Sequence, residues 1–314
     1  MHVLVSAYPF LNKVAARDGI EFVYHPWNRK PKPEEILEEM VRGEYAGLIA
    51  GTERLENAIA DQARALKVVS RVGSGLDNLD VEYFAARGIQ TAFTPFGPVD
   101  AVAELTVAMM LDALRNVLLH DRRVRGGEWK RDFGGRLSDC CVGIVGFGRI
   151  GRRVAVLLLP FRGKLLLHDT APDLATAHAL GLHFVDKPTL LRESDVVTLH
   201  VPLKSDTRGW LGQSELSLCR PDVVVVNAAR GGIVDESAML EFLQARPATT
   251  YCSDAFVTEP YAGPLSEVQN TLLFPHIGAS TVGSRRAMEQ GALDNCVKLL
   301  RGEACADLVT KNVP

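Results

Sequence analysis

The apolar run Val142-Gly-Ile-Val145 opens directly into Gly146-Phe-Gly148-Arg-Ile-Gly151, and this junction constrains the fold more than any other stretch. A buried strand that ends in a glycine turn and continues as a helix presents backbone N–H groups and a positive helix end to an anion. Glycine spacing of this kind is common, so its surroundings decide what it means. The next predicted strand, Lys164–Asp169, ends in a carboxylate about 20 residues further on, where it can accept hydrogen bonds from a ribose diol and repel a 2′-phosphate. His168-Asp169-Thr170 has no Arg that would welcome that phosphate. The pattern therefore points to NAD rather than NADP, with Gly146, Gly148, Gly151 and Asp169 at the cofactor. The plain alternative is an ordinary strand–turn–helix.

This turn stands near the middle of a chain of 314 residues, so another domain precedes it. Strands are predicted at His2–Ser6, Glu21–His25, Gly47–Ala50, Val68–Val72 and Gln90–Thr94, with helices at Pro33–Arg42 and Glu56–Ala65. Such alternation implies parallel pairing with helices on both faces of a sheet. Thr94-Pro-Phe-Gly-Pro98 is a stiff corner suited to a hinge, and one long helix is expected over Val99–His120. The second alternation places strands at Cys141–Val145, Lys164–Asp169, Val196–Val201, Val223–Asn227, Thr250–Ala255 and Leu272–Phe274. Helices are expected at Arg149–Leu158 and Glu236–Ala245. A last helix, Arg285–Arg301, is expected to return to the first domain. The expected division is a discontinuous domain of residues 1–98 plus 284–314, and a nucleotide-binding domain of residues 99–283.

Composition narrows the function classes. A net charge of −3 gives no bulk attraction to nucleic acid or to an anionic membrane, so an anionic ligand needs a local cluster. No apolar run reaches the roughly 18–20 residues that span a bilayer. The start of the chain lacks the basic lead and cleavage site of a secretory leader. None of the six cysteines has metal-ligand spacing, and adjacent Cys140-Cys141 reads as packing. These features predict a soluble cytoplasmic protein with reduced thiols and no metal site. The basic stretch Arg122–Arg131 reads as a solvated surface, with an anion site or a subunit contact as alternatives.

Three polar residues fall at the ends of successive predicted strands: Arg230 in Asn227-Ala-Ala-Arg-Gly231, Glu259 in Asp254–Pro260, and His276 in Pro275-His-Ile-Gly278. The carboxyl ends of parallel strands are where open α/β sheets bind ligands. Arg binds a carboxylate bidentately and polarises a neighbouring carbonyl. His moves a hydroxyl proton near neutral pH, and a carboxylate beside it fixes the imidazole tautomer and stabilises its cation. Each residue alone has a plain reading as a turn cap, a loop charge or a packed core histidine. Together with the glycine turn they suit the reduction of a carbonyl.

Over almost its whole length the chain resembles the D-isomer-specific 2-hydroxyacid dehydrogenases. The likeness runs through Gly73-Ser-Gly-Leu-Asp-Asn-Leu-Asp80, Val102-Ala-Glu-Leu-Thr106, Gly146–Gly151, Leu199-His-Val-Pro-Leu203, Asn227–Asp235, Asp254–Pro260 and Pro275–Thr281. The resemblance implies two doubly wound, Rossmann-like α/β domains, a flavodoxin-like substrate domain and an NAD-binding domain, with the active site in the cleft. It also implies a homodimer joined through the helix after the hinge and a small 2-hydroxy or 2-oxo acid as substrate. It makes His276 the acid/base, Glu259 its partner and Arg230 the binder of the substrate carboxylate and carbonyl. Arg149, Ile150, Pro202 and Ala228 would join the cofactor site, Asp254 would meet the nicotinamide carboxamide, and the backbone around Ser74 and Gly75 would hold the substrate carboxylate.

Within the family, Leu66–Asp80 looks most like the phosphoglycerate dehydrogenases, and Arg71 there is a candidate for a substrate phosphate. Two departures bear on the substrate. The family's Arg-Ser pair is replaced by Ile49-Ala-Gly-Thr-Glu-Arg54, where Thr52 and Arg54 are the polar side chains available, and Pro98-Val-Asp100 replaces small polar residues. The expected substrate is 3-phosphoglycerate or 3-phosphohydroxypyruvate. Hydroxypyruvate or glyoxylate reduction, or a non-catalytic NAD(H)-sensing corepressor role, are the alternatives. A chain ending at Pro314 leads to the expectation that the regulatory domain of longer phosphoglycerate dehydrogenases is lacking.

Overall fold

The computed structural model describes residues 1–309. In chain order, the first elements are β1 (His2–Val5), β2 (Ala16–Arg17), β3 (Ile20–Tyr24), α1 (Pro33–Gly43), β4 (Gly47–Ala50), α2 (Asn57–Gln62), β5 (Val68–Arg71), α3 (Val81–Ala85) and β6 (Gln90–Ala92). Then come α4 (Val99–Arg115), α5 (Val117–Arg125), β7 (Cys141–Val145), α6 (Arg149–Leu158), β8 (Lys164–His168), α7 (Leu174–Ala179), β9 (His183–Phe184), α8 (Lys187–Glu193) and β10 (Val196–Leu199). The last are α9 (Gln213–Leu216), β11 (Val224–Asn227), α10 (Glu236–Ala245), β12 (Thr250–Ser253), β13 (Thr271–Leu273) and α11 (Val282–Leu300). The chain forms two compact units, one of Met1–Pro98 with the segment from Thr281 onward, the other of Val99–Ser280. Residues 310–314 of the expected first domain lie outside the described residues.

The first unit holds a sheet in the order β2-β3-β1-β4-β5-β6. Its strands β3, β1, β4, β5 and β6 pair in parallel, the flavodoxin-like order. The expected strands pair in parallel, and β2, for which no strand was expected, adds an edge that pairs antiparallel to β3. The cause is Asp18-Gly19, both at positive φ (50° and 77°), a two-residue turn whose twist suits a hairpin. Strands β4 and β5 are buried at every position, as covered parallel strands must be.

Helix α11 belongs to this unit and packs on β4, β5 and β6. Thr281 Oγ1 caps it by accepting from the Ser284 N–H at 3.1 Å, so it starts at Val282, ahead of the expected Arg285. Its buried Met288, Leu293, Val297 and Leu299 each stabilise the unit by about 1.5–3 kcal/mol. Ser70 donates to the Ala292 carbonyl at 2.8 Å and Asn295 to the Phe93 carbonyl at 3.0 Å. Fully buried Glu289 accepts the N–H groups of Leu11 and Asn12, at 2.8 Å each for Oε2, and the Arg285 Nε–H at 2.7 Å through Oε1.

The second unit holds a sheet in the order β13-β12-β11-β10-β7-β8-β9, with its strand pairs parallel. This is the Rossmann order, and strand order reverses between β7 and β10, where such sheets bind dinucleotides. Helix α4 packs against α6, β11 and β12, with Met109 and Met110 fully buried. The expected single helix over Val99–His120 breaks at Asn116, which is left-handed at φ 52°. Asn tolerates that conformation, and Asp112 accepts the Leu118 N–H at 2.8 Å as α5 begins. No helix among the described residues is long and apolar enough to cross a membrane.

Candidate active site

The glycine turn joins β7 to α6. Gly146 has φ 89°, and a Cβ on it would stand 2.6 Å from the His200 carbonyl oxygen. A Cβ on Gly151 would stand 1.9 Å from the Gly146 oxygen, so that glycine lets the helix press onto the turn. Gly148, the residue preceding α6, is different: a Cβ there would meet nothing among the described residues within 4 Å. That side of the turn has room beside the start of α6, and a helix N-terminus is a ready anion site for a dinucleotide phosphate.

Asp169 sits just after β8 with its carboxylate on the turn. Oδ2 accepts the Phe147 N–H at 2.6 Å and Oδ1 the Ala171 N–H at 2.8 Å. It therefore braces the turn as well as offering the negative charge expected for a ribose. Pro202 opens the loop after β10, where the Thr207 hydroxyl donates to its carbonyl at 2.6 Å. Ala228 is buried directly after β11.

Because β11, β12 and β13 are parallel neighbours, the segments carrying Arg230, Glu259 and His276 leave the same sheet edge. Gly231 has no room for a side chain: a Cβ would stand 2.0 Å from the Phe256 carbonyl carbon, so the two loops run backbone against backbone. Asn227 shapes the Arg230 turn by donating to the Arg230 carbonyl at 2.9 Å and accepting the Ala229 N–H at 3.1 Å. The Arg230 guanidinium donates to the Ala229 carbonyl at 2.8 Å.

His276 Nδ1 lies 3.0 and 2.9 Å from the two carboxylate oxygens of Glu259. A carboxylate only accepts, so Nδ1 carries the proton and Nε2 is left for a substrate. The two side chains are 40% and 36% exposed, open enough for a ligand to reach. His276 holds φ 55°, a left-handed conformation that costs a non-glycine residue on the order of 1–3 kcal/mol and marks functional positions. Asp254, 2% exposed, holds the neighbouring backbone, taking the Ile277 N–H at 2.7 Å and the Gly278 N–H at 2.6 Å. Burial pushes its carboxyl pKa up, opposed by those two bonds.

His200, whose carbonyl faces Gly146, is not suited to proton transfer. Burial pushes its pKa down to about 3. Nε2 is 2.9 Å from Thr198 Oγ1, and Nδ1 is buried with no hydrogen-bond partner among the described residues.

In the first unit, Ser74 and Gly75 are half-buried in the loop after β5. That loop is clamped on both sides. Asn78 donates to the Gly51 and Glu53 carbonyls at 3.2 and 2.6 Å, and Thr94 Oγ1 accepts the Gly73 N–H at 2.7 Å. Glu53, 1% exposed, accepts from the Ser6 hydroxyl at 2.6 Å and the Gly51 N–H at 2.8 Å.

Arg71 is built into this clamp. It is 5% exposed, its Nε donates to Asn78 Oδ1 at 3.2 Å, and its Nη1 donates to the Val72 carbonyl. Arg54 is exposed along a groove of about 730 Å³ that Glu56, Asp77 and Asp80 also line, acidic company for a phosphate binder. Sequence reasoning singled out Arg71 but missed Glu53, Asn78 and Thr94. All three lay inside stretches singled out for other reasons, and none carried a sequence signal of burial.

Two of the basic side chains in the Arg122–Arg131 segment pair with their neighbours: Arg125 with Asp121 at 2.8 Å, and Arg123 with Asp132. The cysteines are unpaired, and burial pushes the thiols of Cys140, Cys141, Cys219, Cys252 and Cys296 up. Among the described residues no group of His, Cys, Asp and Glu is placed to hold a metal ion.

Comparison with known proteins follows the same lines. Residues 107–278 match the family profile described as "D-isomer specific 2-hydroxyacid dehydrogenase, NAD binding domain". A glyoxylate reductase of Thermococcus litoralis is 33% identical over 294 residues, 90% of this chain and 89% of the relative. A D-3-phosphoglycerate dehydrogenase of Methanocaldococcus jannaschii is 34% identical over 286 residues, 90% of this chain but 54% of the relative, so the chain spans about half of that protein. A crystal structure from Thermus thermophilus superposes with a TM-score of 0.88 at 30% identity, covering 99% of this chain and 100% of that one.

Proposed function

Because the chain belongs to the D-isomer-specific 2-hydroxyacid dehydrogenases and works with NAD(H), we propose that its substrate is a short, unphosphorylated 2-oxo acid of the glyoxylate or hydroxypyruvate type. The observation that carries this is Arg71. A guanidinium 5% exposed and bonded to Asn78 and Val72 is a brace for its own loop, where a phosphate binder needs an open face. The glyoxylate reductase among the relatives supports the same reading.

In this reading the nicotinamide supplies or takes the hydride at C2. His276 delivers a proton from Nε2 to the carbonyl oxygen in reduction and takes it back in oxidation. Glu259 keeps Nδ1 protonated, so the proton moves only at Nε2, and it stabilises the cation that precedes the transfer. Arg230 holds the substrate carboxylate and polarises the carbonyl, aligning C2 for the hydride. Asp254 fixes the backbone on which His276 stands, and within the first unit the N–H groups of Ser74 and Gly75 are the candidates for a substrate carboxylate.

Reduction of 3-phosphohydroxypyruvate is the second reading, motivated by the phosphoglycerate dehydrogenase among the relatives. NADH oxidation measured against glyoxylate, hydroxypyruvate, pyruvate, 2-oxoglutarate and 3-phosphohydroxypyruvate tests both. Preference for the phosphorylated acid would reverse the order. Tight NADH binding with no turnover of any of them would refute the enzymatic reading.

A homodimer through α5 and the segment after it is also proposed. Val117, Leu118, Leu119 and Val124 on that helix, with Trp129 and Phe133 beyond it, are exposed, a run of apolar surface that suits a second copy. A reducing cytoplasmic setting suits six unpaired thiols.

A further inference from the structure

The loop that carries Glu259 is held by another carboxylate, one hydrogen bond away from the proposed chemistry. Asp235 caps α10 by accepting the Ser237 and Ala238 N–H groups at 3.0 and 3.1 Å. With those two N–H groups satisfied by Asp235, the Glu236 carboxylate at the first helical position is available to the neighbouring loop. Its Oε1 accepts the Val257 N–H at 2.8 Å. The adjacent Phe256 N–H is accepted by Glu259 Oε1 at 3.1 Å, and the same carboxylate meets His276. Gly231 closes on the same two residues from the Arg230 side.

We infer that Glu236 is a positioning residue for the reaction: it ties the start of α10, just beyond the Arg230 turn, to the loop that seats Glu259 on His276. Three consecutive strand-end segments are thereby linked in series, Glu236 joining the first to the second and Glu259 the second to the third. The Val257 peptide is the point where this series is easiest to break. Val257 itself is 60% exposed, so apolar packing does little to hold its backbone. The charged and titratable groups around the series are Glu259 and Asp254 beside His276, Arg230 on the adjoining turn, and Tyr251 and Tyr261, which feel the Glu236 charge. Glu236 acts only through the 256–259 backbone and is assigned no contact with substrate or cofactor.

The inference rests on His276 being the acid/base, and its test separates the two claims. Full-length E236A and E236Q are compared with wild type in turnover with NADH and hydroxypyruvate or glyoxylate. E236A should lose about 10- to 100-fold in kcat, the scale of a small misplacement near the chemistry, with KM and NADH affinity within about twofold. E236Q should recover most of that loss, because its amide oxygen accepts the same N–H. The second measurement is independent of activity: the 15N-detected tautomer of the neutral His276 ring. Wild type and E236Q should keep the proton on Nδ1, whereas E236A should shift toward the Nε2–H form once Glu259 is loosened.

Wild-type kcat in E236A, or a loss in kcat with the tautomer unmoved, would overturn the inference. If E236A fails to fold, E236D, too short to reach Val257, should show the same tautomer shift, and an unmoved tautomer there overturns it equally. If the wild type turns over no 2-oxo acid, the substrate reading fails while the tautomer still decides what Glu236 does.

Discussion

Nδ1 of His276 lies within 3.0 Å of both carboxylate oxygens of Glu259, which fixes the ring so that Nε2 alone exchanges a proton with a ligand. Replacing His276 by Ala should lower turnover by about two to four orders of magnitude and leave NADH binding close to wild type, since the glycine turn is untouched. Steady-state rates and fluorescence titration of NADH check both halves. Near-wild-type turnover would remove His276 from the chemistry.

The three glycines of the turn have different reasons to be glycine, and substitution separates them. Gly148→Ala adds a methyl where nothing among the described residues lies within 4 Å, so thermal stability should hold while NADH affinity falls by about tenfold or more as the methyl fills the ligand's space. Gly151→Ala sets a methyl against the Gly146 oxygen at 1.9 Å and should cost about 1–3 kcal/mol of stability. Unfolding curves with and without NADH distinguish the two. Equal stability in both variants would contradict the packing account.

These glycines also show how far the sequence is legible. The strands of both sheets were readable because parallel strands covered on both faces are apolar runs, as in Val224-Val-Val-Asn227. The order Gly146, Asp169, Arg230, Glu259, His276 was readable because each residue stands at or just beyond the end of a predicted strand. The hairpin at Asp18-Gly19 was missed although its turn signal is strong, since its two-residue strand β2 is too short for any periodicity. The break at Asn116 depends on one left-handed residue that the apolar stripe of α4 runs straight into. Arg71 is a different case. Nothing in composition or spacing separates a guanidinium that faces a ligand from one folded back onto Asn78, and Glu236 reads as an ordinary acidic residue in a first helical turn.

His200 supplies the pH dependence. Its pKa is pushed down to about 3 by burial, while an exposed histidine in the unfolded chain titrates near 6.5. The unfolded state then binds the extra proton between those values, so stability rises with pH across that window and falls on acidification below about 6.5. The contribution is about 1.4 kcal/mol per pH unit. Urea unfolding of wild type and His200→Gln at pH 7, 6 and 5 should show a shallower slope in the variant. Parallel slopes would mean that His200 is protonated in the fold.

Exposed Trp129 and Phe133 make the dimer testable. Wild type should sediment as a dimer at micromolar concentration, and Trp129→Asp with Phe133→Asp should shift it to monomer, because unpaired charge in an apolar contact costs several kcal/mol. A wild-type monomer at high concentration would leave that surface without its proposed occupant.

The substrate turns on Arg71. If its guanidinium is a brace, Arg71→Ala leaves Asn78 Oδ1 and the Val72 carbonyl without a donor in a buried site, at a cost of about 2–4 kcal/mol. The loop from Gly73 to Asn78 then loosens for every substrate alike. The kcat/KM values for hydroxypyruvate and 3-phosphohydroxypyruvate should fall by similar factors, and the melting temperature should fall with them. A phosphate binder predicts the opposite pattern: a stable variant whose loss is confined to the phosphorylated acid. Thermal unfolding and the ratio of the two kcat/KM values therefore separate the readings, and a change in that ratio of about tenfold or more, roughly 1.4 kcal/mol, would return Arg71 to the substrate.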